Sequence, residues 1–210
     1  MKRVSSTSLF DLDLDERFLS LCRTARQVAW DIETSGLDWK KDRIATCQVA
    51  AQGEVAVVRF GDNLGRPTRL ARLLEDPTVV KVFHHAPFDL RFMGFQWLVS
   101  PRSVACTKIA SKILEPGLDS GDHSLMQVLN RRLGIQISKE QQRSDWFAEQ
   151  LTAAQLEYAA EDVRHLAALF EDEIGEAKRR GLDGLLQRCF DFLPSRVELD
   201  ILGAGDVYAY

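Results

Sequence analysis

Three apolar runs rich in β-branched residues, Val28–Ile32, Ile44–Ala51 and Glu54–Phe60, follow one another with little but turn residues between them. Turn chemistry around Gly36 and at Gln52-Gly53 predicts an antiparallel set of three strands. Val79–Phe83 is a compact apolar run, the pattern of a buried strand. A small helix is expected at Leu70–Leu74, ending near Pro77, and a longer one over Pro87–Trp97, with proline in its first turn. From Thr107 onward the pattern is helical. Ser124–Gln127, Ser138–Gln141 and Thr152–Gln155 each fit the S/T-x-x-E/Q capping box, and Leu151 and Leu156 occupy the staple positions of the third. That helix is predicted to reach about Arg180, where Gly181 stops it, and a last helix to cover Leu182–Leu193 before Pro194. Residues 1–26 read as a short lead-in with one amphipathic helical piece. Strands early and helices late define a mixed α/β domain, a central sheet flanked by helices. No G-x-G-x-x-G marks a dinucleotide site.

A chain of 210 residues is long enough to build one core without disulfides or a structural metal. Cys22, Cys47, Cys106 and Cys189 form no C-x-x-C pair, and reduced thiols are expected. The N-terminal stretch lacks an apolar signal region, and no apolar run approaches membrane-spanning length. A cytoplasmic protein without membrane contact is expected. Lys and Arg total 27 against 31 Asp and Glu, a net charge of −4. That balance argues against a purely electrostatic nucleic-acid coat. It leaves room for an enzyme that reaches phosphate through bound cations.

Three segments carry chemistry. Asp31 and Glu33 end the first strand, and residues two apart in a strand face one side. Two carboxylates so close repel unless a cation sits between them, although an acidic pair on a solvated edge strand has the same spelling. His84-His85-Ala86-Pro87-Phe88-Asp89 leaves the buried strand and opens a helix. There Asp89 either serves a site or complements the helix dipole. Tyr158 and Asp162 stand four residues apart on one face of the well-capped helix, off its apolar stripe. That face turns either to solvent or to a site. Together Asp31, Glu33, Asp89 and Asp162 match the oxygen ligands that Mg²⁺ or Mn²⁺ prefers. Two such ions can clamp a phosphodiester, with the tyrosine hydroxyl orienting or helping to deprotonate the attacking water.

The order D-x-E, a later Asp, then Y-x-x-x-D resembles the DEDD superfamily of 3′–5′ exonucleases, in its tyrosine branch. Glu157 stands where the histidine branch has its histidine. Ile137–Trp146 resembles the lead-in to the third motif of ribonuclease-D-like enzymes. Cys189–Pro194 with Leu199–Gly203 is similar to the tail of the short relatives called nano-RNase C. The resemblance runs from about Val28 to Tyr210, and the extra helical domains of full-length ribonuclease D are not expected. It implies a ribonuclease-H-like exonuclease fold, a catalytic domain over 27–181, and a C-terminal helix and tail over 182–210 packed on it or at a subunit contact. It implies Asp31, Glu33, Asp89 and Asp162 as ligands of two divalent cations, Mg²⁺ or Mn²⁺, with Asp31 bridging and Tyr158 orienting water. Leu37 becomes the candidate wedge between bases, and His84 and Trp146 candidate substrate contacts. The residues alone fit an ordinary turn leucine, a loop histidine and a packed aromatic equally well. Degradation of short RNA, dinucleotides above all, is implied, as is a ring-like homo-oligomer, an octamer. A DNA-directed 3′–5′ exonuclease acting on single strands is the alternative, because the catalytic residues do not read the 2′-hydroxyl. An inactive nucleic-acid-binding scaffold is the other.

Overall fold

A computed structural model describes residues 6–62, 65–138, 140–142 and 144–209. The first five residues of the lead-in, Lys139 and Arg143 of the motif stretch, and Tyr210 of the tail lie outside the described residues. The elements are β1 (Ser6–Asp11), α1 (Glu16–Ala25), β2 (Gln27–Thr34), β3 (Ile44–Ala51), β4 (Glu54–Arg59), α2 (Thr68–Glu75), β5 (Val80–Phe83), α3 (Ala86–Trp97), β6 (Val104–Cys106), α4 (Thr107–Leu114), a 3₁₀ turn (Ser120–His123), α5 (Leu125–Leu133), α6 (Ala153–Arg164), α7 (Leu166–Arg179) and α8 (Asp183–Leu202). The strands form one sheet in the order β1-β4-β3-β2-β5-β6. β2, β3 and β4 are the antiparallel set that the turn residues predict. β5 joins β2 in parallel, and β6 joins β5 in parallel. The sheet is therefore mixed, with helices on its faces: α1 packs on β2 and β3, α6 on β2, β3 and β4, and α7 on β2 and β5. Val28, Trp30 and Ile32 of β2 are buried, and the Trp30 ring lies 6.1 Å from Phe83 at the end of β5. Among the described residues no helix is long and apolar enough to cross a membrane.

The structure departs from the sequence expectations at five places, one of them β6, a short strand beside β5 that no apolar run foretold. The lead-in contains a strand: β1 pairs in parallel with β4, Ser6 opposite Glu54 through Asp11 opposite Arg59. Its exposed residues are Ser6, Thr7, Leu9 and Asp11, with no apolar alternation to mark a strand, because an edge strand needs only a few inward contacts, such as Phe10 against Phe18. The helix expected from Thr152 to Arg180 is two helices, divided at His165, whose φ and ψ are −104° and −8°. α6 lies across β2–β4 and α7 across β2 and β5, so the break lets the chain follow the sheet's twist. The last helix does not stop at Pro194 but runs through it to Leu202. Its buried stripe, Leu186, Phe190, Leu193 and Val197, continues on both sides of the proline, and α8 packs on α3, α4, α7 and β6, burial that outweighs one lost backbone hydrogen bond. Of the three capping boxes, only Thr152 with Gln155 forms. Ser124 caps α5 by position without a side-chain bond, and Ser138 accepts from the Glu140 N–H in a local turn with no helix after it.

α2 illustrates a cap that local spelling hides. Its N-terminal residue Pro67 has no capping side chain. Asp13, distant in the chain, accepts instead from the Arg69 N–H at 2.7 Å and the Leu70 N–H at 3.0 Å. Asp13→Ala is expected to destabilise the protein by about 1–2 kcal/mol, as a lost N-cap does. Urea melts of the two proteins measure it; identical midpoints would mean that water replaces the carboxylate without loss.

Candidate active site

The site grows from a mismatch in strand length. β2 and β5 pair only over Gln27–Ala29 and Val80–Val82. Beyond that point β5 turns into α3 while β2 continues, and a cleft opens at the carboxyl ends of the two parallel strands, where open α/β sheets bind ligands. Asp31 and Glu33 stand on the overhang. On the other side of β2, Gln48 and Thr46 of β3 oppose them, both buried. His85 makes the corner between β5 and α3 with φ +82°, a left-handed conformation seldom taken by a residue other than glycine. The corner puts Asp89 in the first turn of α3, where it is buried. α6 supplies Tyr158 and Asp162. Its Ala159, Ala160 and Val163 are buried, which leaves the four-residue spacing of Tyr158 and Asp162 for the cleft.

All eight residues singled out in the sequence, Asp31, Glu33, Leu37, His84, Asp89, Trp146, Tyr158 and Asp162, line one cavity of about 470 Å³. One carboxylate oxygen each from Asp31, Glu33 and Asp162 fall within 4.8 Å of one another. Asp89 lines the same cavity. Burial pushes the Asp31 carboxyl well above its ordinary value, and Asp89, Asp162 and Glu33 push it further by repulsion. Burial, then Asp162 and Asp89, push Glu33 up to about 9. Burial also raises Asp89, against the backbone N–H groups of Asp89 and Ile32. The Tyr158 phenol is raised by burial and by the charges of Asp162, Glu33 and Asp31, and it is hydrogen-bonded to Asp162. A divalent cation fits this donor set. The ligands are hard oxygens, they converge, and their mutual repulsion is relieved by positive charge. Asp31, Glu33, Asp162 and Asp89 are the residues that would hold it.

The three other candidates differ in character. Leu37 is 83% exposed at the tip of the loop after β2, a loop tightened where Gly36 lies too close to the Asp42 carboxylate for any side chain. His84 has both ring nitrogens occupied. Nε2 meets the His123 carbonyl at 3.0 Å and so must donate, and Nδ1 lies 2.8 Å from the Thr107 hydroxyl. Burial holds the ring neutral, at a pKa of about 3, so Nδ1 accepts from Thr107. His84 therefore has only its ring surface to offer a ligand. Trp146 is buried, its ring 5.9 Å from that of Tyr158, and its indole N–H has no acceptor among the described residues. His85, Phe88, Gln142 and Ser144 line the cavity as well. Gln142 and Ser144 belong to the Ile137–Trp146 stretch, whose spelling carried a resemblance but no local periodicity to say which side chains turn inward.

The fold is that of a family. A 3′–5′ exonuclease family matches residues 7–172, and the chain belongs to that family. Brucella melitensis NrnC is 36% identical and superposes with a TM-score of 0.90 over 98% of each chain. Structures of that protein bound to pGG and with bound Mg²⁺ superpose equally well, with TM-scores of 0.90 and 0.89. The chain is a DEDD 3′–5′ exonuclease of the nano-RNase C-like kind. Ribonuclease D of Gluconacetobacter diazotrophicus is 36% identical over 137 residues, 64% of this chain and 33% of its own length. The chain thus spans about a third of that curated relative. Escherichia coli RNase D, 23% identical with a TM-score of 0.75, shares the fold, which is the ribonuclease-H-like exonuclease fold.

The raised carboxylates set a pH signature. With Glu33 lifted from 4.5 to about 9, the metal-free fold favours the protonated form. Its contribution to stability is complete below pH 4.5 and is lost as pH rises towards about 9. In EDTA the melting temperature is expected to fall over that window. Added Mg²⁺ is expected to restore it, more at the alkaline end. A Mg²⁺-induced gain that does not vary with pH would move the ion away from these carboxylates.

Proposed function

We propose that this chain is a divalent-metal-dependent 3′–5′ exoribonuclease that hydrolyses short oligoribonucleotides, dinucleotides foremost, to nucleoside 5′-monophosphates. The observation that carries the reading is the convergence of Asp31, Glu33, Asp89, Tyr158 and Asp162 in one cavity. All five lie within 27–181, which we take as the catalytic unit, with 182–210 as a C-terminal helix and tail that pack on it or at a subunit contact. A cavity of about 470 Å³ suits a small ligand better than a duplex.

Two bound cations, Mg²⁺ or Mn²⁺, supply positive charge that offsets the carboxylates and steadies the charge on the scissile phosphate. Asp31, whose carboxyl is pushed up by Asp89, Asp162 and Glu33 alike, would be the residue that serves both ions. Tyr158 keeps its hydroxyl proton and orients the attacking water. The water oxygen bonds to phosphorus, the bond from phosphorus to the 3′-oxygen breaks, and that oxygen leaves with a proton. Leu37, exposed beside the cavity, is placed to wedge between two bases. Trp146 and the ring of His84 form apolar wall against which a base or sugar rests. A cytoplasmic setting agrees with four unpaired cysteines. A homo-oligomer, an octamer by the resemblance, agrees with the exposure of Leu98, Leu202 and Tyr208.

A length series of 5′-labelled RNAs and matched single-stranded DNAs, in Mg²⁺, Mn²⁺ or EDTA, tests the reading. Metal-dependent cleavage, fastest on the RNA dinucleotide, is expected. Equal trimming of every RNA would mean a general exoribonuclease, faster cleavage of DNA the DNA-directed alternative, and no cleavage a binding scaffold. Asp31→Ala is expected to abolish turnover in a folded protein, and Tyr158→Phe to slow turnover without weakening Mg²⁺ binding. Leu37→Ala is expected to weaken dinucleotide binding by about 1–2 kcal/mol, the worth of burying part of a leucine side chain. Unchanged affinity on titration would return Leu37 to the role of a turn residue.

A further inference from the structure

Gln155 is buried at the start of α6 and uses its amide twice. Its Oε1 accepts from the Thr152 N–H at 2.9 Å and lies 3.0 Å from the Thr152 hydroxyl, completing the helix cap. Its Nε2 turns the other way. It donates to the Asp145 carbonyl at 2.8 Å and to the Ser144 hydroxyl at 3.2 Å. Those two residues immediately precede Trp146, and Ser144 and Trp146 both line the catalytic cavity. Gln155 also shares its helix face with Asp162, seven residues on, about two turns of helix. One side chain therefore fixes the helix that carries Tyr158 and Asp162 to the loop that faces them.

The far end of that loop is tied independently. Arg59 of β4 donates from Nη1 to the Glu149 carbonyl. Its Nη2 and Nε bond Asp11 of β1 at 2.7 and 2.9 Å. Between the two ties Trp146 rests on Tyr158, which α6 holds in place, so a shift of the loop moves that side of the cavity wall.

We propose that Gln155 is a positioning residue, which through its amide N–H₂ latches the Ser144–Glu149 loop to α6 and so sets the wall that receives substrate. The proposal rests on the exonuclease reading for its kinetic consequence and on hydrogen bonding alone for its structural one. Gln155→Glu separates the two duties of the side chain. Glutamate serves a capping box as well as glutamine does, but it presents an oxygen to the Asp145 carbonyl and cannot donate. Thr152→Ala does the reverse: it removes the capping hydroxyl and leaves the latch in place.

The experiment compares both variants with the full-length protein by hydrogen–deuterium exchange and by steady-state kinetics on an RNA dinucleotide. Gln155→Glu is expected to speed exchange across 144–149 while α6 stays protected. It is expected to raise KM about ten-fold with kcat nearly unchanged, within the losses that slight misplacement of a binding wall causes. Thr152→Ala is expected to lower the melting temperature and leave KM and loop exchange as they were. Arg59→Met, which frees the other end, is expected to speed exchange over the same loop. Wild-type exchange at 144–149 in both Gln155→Glu and Arg59→Met would overturn the latch. So would a KM that rises equally in Thr152→Ala, since helix capping would then account for it. If the wild-type protein cleaves nothing, the exonuclease reading fails, and the exchange data still decide the latch.

Discussion

Repulsion is the constraint around which this structure is arranged. Three carboxylates whose oxygens fall within 4.8 Å, with a fourth beside them, would each cost several kcal/mol against a neighbour at the effective dielectric of a protein. Nothing in the side chains themselves would hold them so. The scaffold does, and each group is anchored by a different device. Asp31 and Glu33 sit on a strand whose alternate residues, Trp30 and Ile32, are locked in the core. Asp89 is placed by a strained corner at His85. Asp162 rides a helix that begins at a fully formed capping box. The carboxylates stay together because protonation or a bound cation relieves the repulsion, while the packing around each anchor keeps it in place.

The corner at His85 needs support of its own, and a polar chain behind it supplies this. His84 is held by Thr107 at the start of α4 and by the His123 carbonyl. His123 in turn meets Ser111 of α4 at 2.8 Å, and Arg131 of α5 ties Glu115 to the Asp122 carbonyl. A histidine whose two nitrogens are both spent on the protein is a brace. Its ring lines the cavity as surface, and its chemistry points backwards into the fold.

Much of this was legible because the relevant periodicities are local. The alternation of β2 puts Asp31 and Glu33 on one side, and the spacing of Tyr158 and Asp162 puts them on one face of α6. The illegible parts depend on residues far apart in the chain. β1 carries no clean apolar alternation, since Leu9 is exposed and Phe10 turns inward, and its place beside β4 is a fact its own sequence does not contain. Asp13 caps a helix more than fifty residues away. The break at His165 follows from the twist of a sheet that the helix itself does not encode. Pro194 spells a stop, and only the buried stripe of α8 overrules it. Gln155 was readable as half of a capping box, but its second pair of bonds depends on where residues 144 and 145 arrive.

The parallel pairing of β1 with β4 bears on how the molecule assembles. Ser6 meets Glu54, so β1 has no partner in the sheet until the hairpin of β3 and β4 exists. Its contacts are among the most distant in sequence of any in the sheet, and such contacts carry the largest loop-closure cost and tend to form late. Yet Asp11 at its end holds Arg59, which holds the loop in front of the cleft. The candidate site is thereby completed by a strand that precedes all of its acidic residues in the sequence. A nascent or partly unravelled chain could own every acidic residue of the centre and still lack the wall that shapes it.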